Sequence, residues 1–452
     1  MRCFDVLRIL LLTAALVLPA WAEPRGTNPE KPHILLITID TLRADHLSGY
    51  GYGRATSPHL DQLMDDGVRF SQARTVMPLT CPALASMFTA MPPHVHGSTR
   101  NGLPIRQRLP SLPKVLARHG YERAAFVSNS VLRGHLCGLD EHFDVWEDIL
   151  NRRRLFVTWR ESHADDITDR GLEFVEDHLD SSRAPFFLWL HYVEPHFPYV
   201  LQKDYLEQIG VSRGKSTLSP RNRYDSEIAR VDASIGRLLE TLEDTIDRQR
   251  LLVIFTSDHG ESLGHHGYWG HGKYVYDAGL HVPLSITWPG RLTQKVIDAP
   301  AVLVDLPATV LGLLDIPRPE VLDGFDFVPV MDGFVPEPMD RMTFYQTHKS
   351  SIIGSEKQRS AEVRPKGLRE VGVLHHGRKE IFQVRQGERR VYDHSRDRGE
   401  NRSLVAASSE PSESLREWLR QVQEGLDALK HLGVPTLDEK TVEELEALGY
   451  AN

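Results

Sequence analysis

Cysteine is scarce in this chain: three residues in 452, one of them, Cys3, inside the N-terminal apolar segment. The other two, Cys81 and Cys137, make no disulfide framework, so the fold must rest on a core. Both are expected to be free, small and buried. Long apolar runs are missing after the N-terminus, so no later segment can span a bilayer. The run ILLLTAALVL at 9–18 is itself shorter than the roughly 20 residues a spanning helix needs. It follows Arg2 and Arg8 and precedes Ala20-Trp21-Ala22, the grammar of a cleaved signal peptide over 1–22. The expected destination is periplasmic or secreted. A basic block is absent too. Lys and Arg total 53 against 62 Asp and Glu, a net charge of −9 spread along the chain, which argues against a nucleic-acid partner. There is no internal repeat or low-complexity tract. Oligomeric state is not legible.

Several β-branched or aromatic runs alternate with helical patterns. HILLITI at 33–39 is apolar throughout, the mark of a strand covered on both faces. Ser57-Pro58 starts a helix that Gly67 stops, and 111–120 repeats that grammar ahead of the strand AAFVS. A helix near 163–180, a strand at 186–192 and a helix near 224–246 follow. That last helix lines up Ile228, Val231, Ile235, Leu238, Leu239 and Leu242 on one stripe. Strands at 251–257 and 282–288 and a helix at 303–314 complete the set. Such alternation predicts an α/β fold with a mainly parallel sheet and helices on both faces. From about Phe344, short segments at 351–354, 370–376, 380–385 and 389–393 suit a small antiparallel sheet, then helix at 411–431 and a last short one in TVEELEALGYAN. The domain reading is a core at 30–335, a small α+β subdomain at 340–405 and C-terminal helices at 406–452. Polar residues 201–223 read as a mobile surface loop near the site.

In such sheets ligands bind beyond the carboxyl ends of the strands. Asp40, His191 and Asp258 all fall at or just past those ends. Alone, Asp40 reads as a turn or capping residue. With Asp258 and His259 it supplies two anionic oxygens and an imidazole. That shell suits one divalent ion, Mn²⁺, Zn²⁺ or Mg²⁺, and Ca²⁺ less well, since it prefers all-oxygen cages. Thr80, before Cys81-Pro82 and the run ALASMFTA, reads either as an ordinary helix N-cap or as a hydroxyl activated by the helix terminus and the metal. His196, His271 and Lys273 would recognise an oxyanion if they converge on one rim, with His191 as a further substrate contact; scattered solvated histidines are the alternative.

The segments ITIDTLRADHLSGYGY, TSPHLDQLMDDGVRF, HYVEPHFPY, FTSDHGE, HGYWGHGKYVYDAGLHVPLSITWPG and VYDHSRDRGENRSL, in this order from about 33 to 405, resemble sulfatase-family proteins of the alkaline phosphatase superfamily. The resemblance implies an alkaline-phosphatase-like core with a small C-terminal sheet subdomain. True sulfatases carry a C-x-P-x-R motif whose Cys becomes formylglycine. Aligned on Pro82, that motif puts Thr80 at the nucleophile and Leu84 at the arginine; counted from Cys81, neither its Pro nor its Arg is present. Thr89-Ala90 stands for the usual Thr-Gly, Asp40-Thr41 for Asp-Asp and Asp258-His259 for Asp-Asn. These departures resemble the phosphoryl-transferring branches, where an unmodified Thr attacks and Asp, Asp and His hold a metal. A second metal site of the Asp-x-x-x-His type is not matched, because Tyr192 stands four before His196. The resemblance places Asp40, Asp258, His259 and Thr80 at the metal, and His196 and His271 around the anion, one of them as general acid. The expected protein is an exported hydrolase of a phosphate, or less readily sulfate, ester on a small molecule, glycan or lipid. Alternatives are a strict sulfatase, a head-group phosphotransferase and a non-catalytic anion-binding protein, for which Leu84 and Ala90 speak.

Overall fold

The computed structural model describes residues 31–150, 152–153, 160–161, 163–212, 214, 219–348, 367–405 and 410–431. The expected signal peptide at 1–22, the segment 351–354 and the tail at 441–452 lie outside the described residues. The described residues from Pro32 onward form one compact unit.

The centre of that unit is β1 (His33–Ile39), buried at every residue. Ile34 and Leu36 pack on one core with residues of α2 (Thr80–Thr89), α3 (Leu112–Arg118) and α6 (Leu306–Leu313). Leu35, Ile37 and Ile39 pack on another with α1 (Pro58–Asp65), α4 (Ala164–Ser181) and α5 (Pro220–Thr245). Alternating side chains on a pleated strand thus feed two cores, which is why the run is apolar throughout. The other main-sheet strands are β2 (Val68–Phe70), β3 (Glu122–Val127), β4 (Val145–Asp148), β5 (Phe186–Tyr192), β6 (Leu251–Ser257), β7 (Leu284–Thr287) and β8 (Lys295–Ile297). Their order is β8-β2-β7-β6-β1-β5-β3-β4. β1 runs parallel to both neighbours, with Ile37 opposite Leu190 on β5 and Phe255 on β6. The carboxyl ends of β1, β5 and β6 therefore meet at one sheet edge. β7 alone runs antiparallel, against β6 and β2, so the sheet is mixed but mostly parallel.

Four segments differ from the sequence reading. The helix expected from 224 begins at Pro220, because the Ser219 hydroxyl accepts from the Asn222 N–H at 3.2 Å and Pro occupies the first turn. Residues 201–212 are no free loop: Leu206 and Ile209 are buried against Ala229 of α5. The strand expected over 282–288 is trimmed to Leu284–Thr287. A strand, β9 (Thr343–His348), stands where the sequence shows only a change of character. It pairs with β10 (Leu368–His375), β11 (Arg378–Gln383) and β12 (Glu388–Asp393) in an antiparallel sheet covered by α7 (Glu413–Ala428).

This small sheet joins the core through buried charge. Lys379 on β11 is fully buried and lies 2.6 Å from Asp277 and 2.7 Å from Glu400. Arg74 and His394 also reach Asp277, at 2.7 and 2.8 Å. Asp277, His394 and Glu400 have the spacing of a metal group, but Lys379 already supplies a cation there. Lys379→Met should leave these buried carboxylates short of one cation and destabilise the fold by about 3–5 kcal/mol. Chemical denaturation measures this; a loss below about 1 kcal/mol would show that the cluster relaxes without its lysine.

Candidate active site at the carboxyl edge of the sheet

Asp40 leaves the end of β1, its N–H donating to Tyr192 O at 2.8 Å. Its carboxylate is fully buried. Asn129 Nδ2 donates to Oδ2, and His191 Nε2 lies 3.5 Å from the same oxygen. A relay behind it fixes that ring. Trp189 Nε1 donates to Thr38 Oγ1 at 2.8 Å, and that oxygen lies 2.7 Å from His191 Nδ1. Asp40 Oδ1, by contrast, has no hydrogen-bond partner.

Asp258 repeats the pattern from β6. Its Oδ1 accepts the N–H groups of Thr41 at 3.1 Å and His259 at 2.7 Å, while Oδ2 is buried without a partner. Thr41 adopts φ 56°, a left-handed conformation uncommon for a β-branched residue, and so aims its N–H at that oxygen. His259 Nδ1 donates to Gly260 O at 2.9 Å, which leaves Nε2 with a lone pair 3.4 Å from Asp258 Oδ2 and 3.3 Å from Thr80 Oγ1.

Ligand atoms of Asp40, Asp258 and His259 lie within 4.8 Å of one another. Two bare carboxylate oxygens and one imidazole lone pair thus share a buried spot, an arrangement that repels itself until a cation enters. Burial and the charge of Asp40 push Asp258 well up from the usual carboxylate range. Burial also opposes ionisation of Asp40, but His196, His191 and His259 outweigh it and hold its carboxyl low. Burial, then His271, drives His259 down to about 3, so its ring is neutral as a ligand must be. The donor set fits one small divalent ion.

Thr80 is not the N-cap that the sequence suggested. Leu79 is the extended residue before α2, Thr80 is the first helical one, and its hydroxyl turns to His259. The Cys81 N–H is met instead by Asn101 Oδ1 at 3.0 Å, from a loop 20 residues on. Cys81 and Cys137 are both free and buried, and Cys81 Sγ donates to Val131 O at 3.3 Å. Leu84, one turn below Thr80, is buried in the core. Ala90, in place of glycine, ends the helix at φ 55°, a left-handed conformation that a glycine would adopt more cheaply.

Around this centre the histidines separate. The rings of His259 and His271 lie 4.5 Å apart, and those of His271 and His196 5.1 Å. His271 Nδ1 faces Glu261 Oε1 at 3.1 Å; burial works against its charge, but the Glu261 carboxylate lifts the imidazolium above its ordinary range. His196 Nδ1 donates to Phe197 O at 2.6 Å, and burial lowers its pKa. His191 is placed behind Asp40, fully buried, so it orients a carboxylate where the sequence suggested a substrate contact. Lys273 does not join the imidazoles in the described contacts: its Nζ sits 5.2 and 4.9 Å from the ring centroids of Tyr268 and Tyr274. His265 bonds Arg43 and His266 stacks on Tyr276. Asn101, Asn129 and Glu261 are the site residues that sequence reasoning missed. Only Glu261, inside FTSDHGE, carried a local signal.

The Sulfatase family profile matches residues 32–316. The chain belongs to the sulfatase family. Human arylsulfatase A is 25% identical over 455 residues, covering 87% of each chain. A structure of BT4656 in complex with its substrate D-glucosamine-2-N,6-O-disulfate superposes with a TM-score of 0.68 at 19% identity, covering 89% of this chain and 100% of that one. Phosphonate monoester hydrolase of Agrobacterium radiobacter gives 0.66 at 21% identity, covering 88% and 95%. This sulfatase-family protein has the alkaline-phosphatase-like fold and is an ester hydrolase with a metal-ligand cluster at its sheet edge. Among the described residues, no helix is long and apolar enough to cross a membrane.

Proposed function

We propose that this sulfatase-family protein is an exported hydrolase that cleaves a phosphate ester, or less readily a sulfate ester, through Thr80. The observation that carries this reading is the placement of the Thr80 hydroxyl 3.3 Å from the lone pair of His259, beside two carboxylates with one bare oxygen each. Asp40, Asp258 and His259, with Thr80 beside them, would hold one divalent ion, Mn²⁺ or Zn²⁺ before Mg²⁺ or Ca²⁺. An ion bound there supplies positive charge that favours the Thr80 alkoxide and offsets charge on the attacked group.

The chain's own residues account for the rest. The Thr80 hydroxyl proton passes to solvent, Thr80 Oγ bonds to phosphorus, and the P–O bond to the leaving alcohol breaks. The departing oxygen takes a proton from His271, whose Nδ1 is committed to Glu261, so the proton delivered is the one on Nε2. Water then attacks the phosphothreonine ester, releases phosphate and restores Thr80. His196, its ring 5.1 Å from that of His271, would contact the anion. The organic part of the ester is a small molecule, glycan or lipid.

A screen of phosphate mono- and diesters and sulfate esters, each with several divalent metals, tests the activity. His271→Ala should slow esters with poor leaving groups about 10²–10⁴-fold and activated aryl esters far less, because the latter need no proton. His196→Ala should slow both classes alike. Equal losses on both classes for His271→Ala would remove its role as the acid. Failure of every ester would favour a non-catalytic anion-binding protein.

A further inference from the structure

A cavity of about 360 Å³ on the small sheet is lined by Tyr274, Arg369, Glu370, Gln383, Arg385 and Arg390. We propose that this cavity is a second anion site, taking another negatively charged group of the same ester whose reacting group sits at Thr80. The protein would then select substrates that carry two anionic groups. The proposal rests on the hydrolase reading for the place of the first group.

Antiparallel pairing builds the cradle. Arg369 and Glu370 lie at the start of β10, Gln383 ends β11, Arg385 stands in the turn that follows, and Arg390 lies on β12. Three guanidiniums therefore share the cavity with one carboxylate, and that carboxylate is already engaged. Glu370 accepts from Gln383 Nε2 at 2.8 Å through one oxygen and from the Val275 N–H at 3.0 Å through the other. Burial raises its pKa, which weakens it further as a counter-charge. Arg390 has Glu388 at 3.4 Å and the Tyr276 hydroxyl at 2.7 Å. Arg369, half-buried, and Arg385, exposed, enter no ion pair among the described residues. In a chain of net charge −9, two uncompensated arginines in one concavity reverse the local sign. The guanidinium fork matches phosphate, sulfate and carboxylate oxygens alike.

Tyr274 ties this cavity to the catalytic centre. It stands three residues after His271, at most about 11 Å of extended chain. Between them, Gly272 O accepts from Thr347 Oγ1 at 2.7 Å, which holds the loop to the small sheet. Tyr268, whose hydroxyl donates to His271 O at 2.5 Å, is raised in pKa by burial, and the charge of Arg369 opposes that rise. Lys273 adds a further cation over the rings of Tyr268 and Tyr274. Positive charge thus runs from the histidine rim to the cavity, over a span that one short molecule can bridge.

Hexane-1,6-diyl bisphosphate and hexyl phosphate differ by one anionic group on the same carbon chain, and calorimetric titration of the Mn²⁺-loaded protein compares them. Wild type should bind the bisphosphate at least about tenfold tighter, an advantage that shrinks as salt is added. The double variant Arg369→Gln/Arg385→Gln should bind hexyl phosphate as wild type does and lose most of that advantage. Its Tm should stay unchanged, because neither side chain is in the core. Equal affinity of the two compounds for wild type would overturn the proposal, and so would an advantage that survives in the double variant. Two independent sites for inorganic phosphate, with no gain from tethering, would make the cavity an effector site and also overturn it. If wild type hydrolyses no ester, the hydrolase reading falls, and the bisphosphate comparison still decides whether the cavity takes a second anion. Wild type that binds neither compound overturns the proposal.

Discussion

Thr80→Ala should abolish ester hydrolysis, lowering kcat by on the order of 10⁴–10⁶-fold, whereas Cys81→Ser should retain most activity. The two side chains are neighbours in sequence and opposites in placement. Thr80 Oγ1 faces the imidazole lone pair of His259, and the Cys81 thiol points to a carbonyl in the wall. Removing the attacking oxygen removes nearly all of the chemical acceleration and leaves only binding. Cys81→Ser keeps a donor for Val131 O in nearly the same volume. Intact-mass measurement on the purified protein should show Cys81 unconverted to an aldehyde; on protein recovered after export it should also show a chain starting at Glu23. The reverse activity pattern, with Cys81 essential and Thr80 dispensable, would return the protein to formylglycine chemistry.

Metal removal should be the second large effect. Chelation should stop turnover and lower Tm, and Mn²⁺ or Zn²⁺ should restore both. An ion present at 100 times its Kd stabilises the fold by about 2.7 kcal/mol. The sign of the mutant response makes the test sharp. Asp40 and Asp258 are buried with one bare oxygen each, and burial together with Asp40 already raises the Asp258 pKa. In metal-free protein, Asp258→Asn should therefore be neutral or stabilising, because it removes one of two mutually repelling carboxylates. In the presence of metal the same change should be destabilising relative to wild type and inactive. Thermal unfolding of both proteins with and without Mn²⁺ reads this directly. An equal metal shift in wild type and variant would place the ion elsewhere.

What was legible in the sequence followed from local pattern. β1, β5 and β6 were readable because strands covered on both faces must be apolar at every position, and the polar residues that end them mark the sheet edge. The cluster that could hold a metal was readable for the same reason, since Asp40, Asp258 and His259 interrupt those runs. Thr80 was found but misplaced by one position, because which residue begins a helix depends on the conformation of Leu79. Asn101 and Asn129 carried no local signal: each acts on a residue far away in the chain, and an Asn in a loop looks like any turn residue. His191 was read as a substrate contact because its position past a strand end is visible, while the Trp189–Thr38 relay that holds it behind Asp40 is a cross-strand matter. The Lys273 Nζ lies over two tyrosine rings, a contact between side chains that its place in the sequence does not announce.

The central place of β1 has a consequence for the order in which the protein matures. Its ligand Asp40 is among the first core residues to be synthesised, yet the segment it starts is completed by an N–H bond to Asp258, 217 residues later. No fragment ending before β6 contains the ion's cage, and no early folding intermediate can hold the metal in its final form. An ion taken up there would need β6 in place, so the cluster that could hold it is complete only late in the chain.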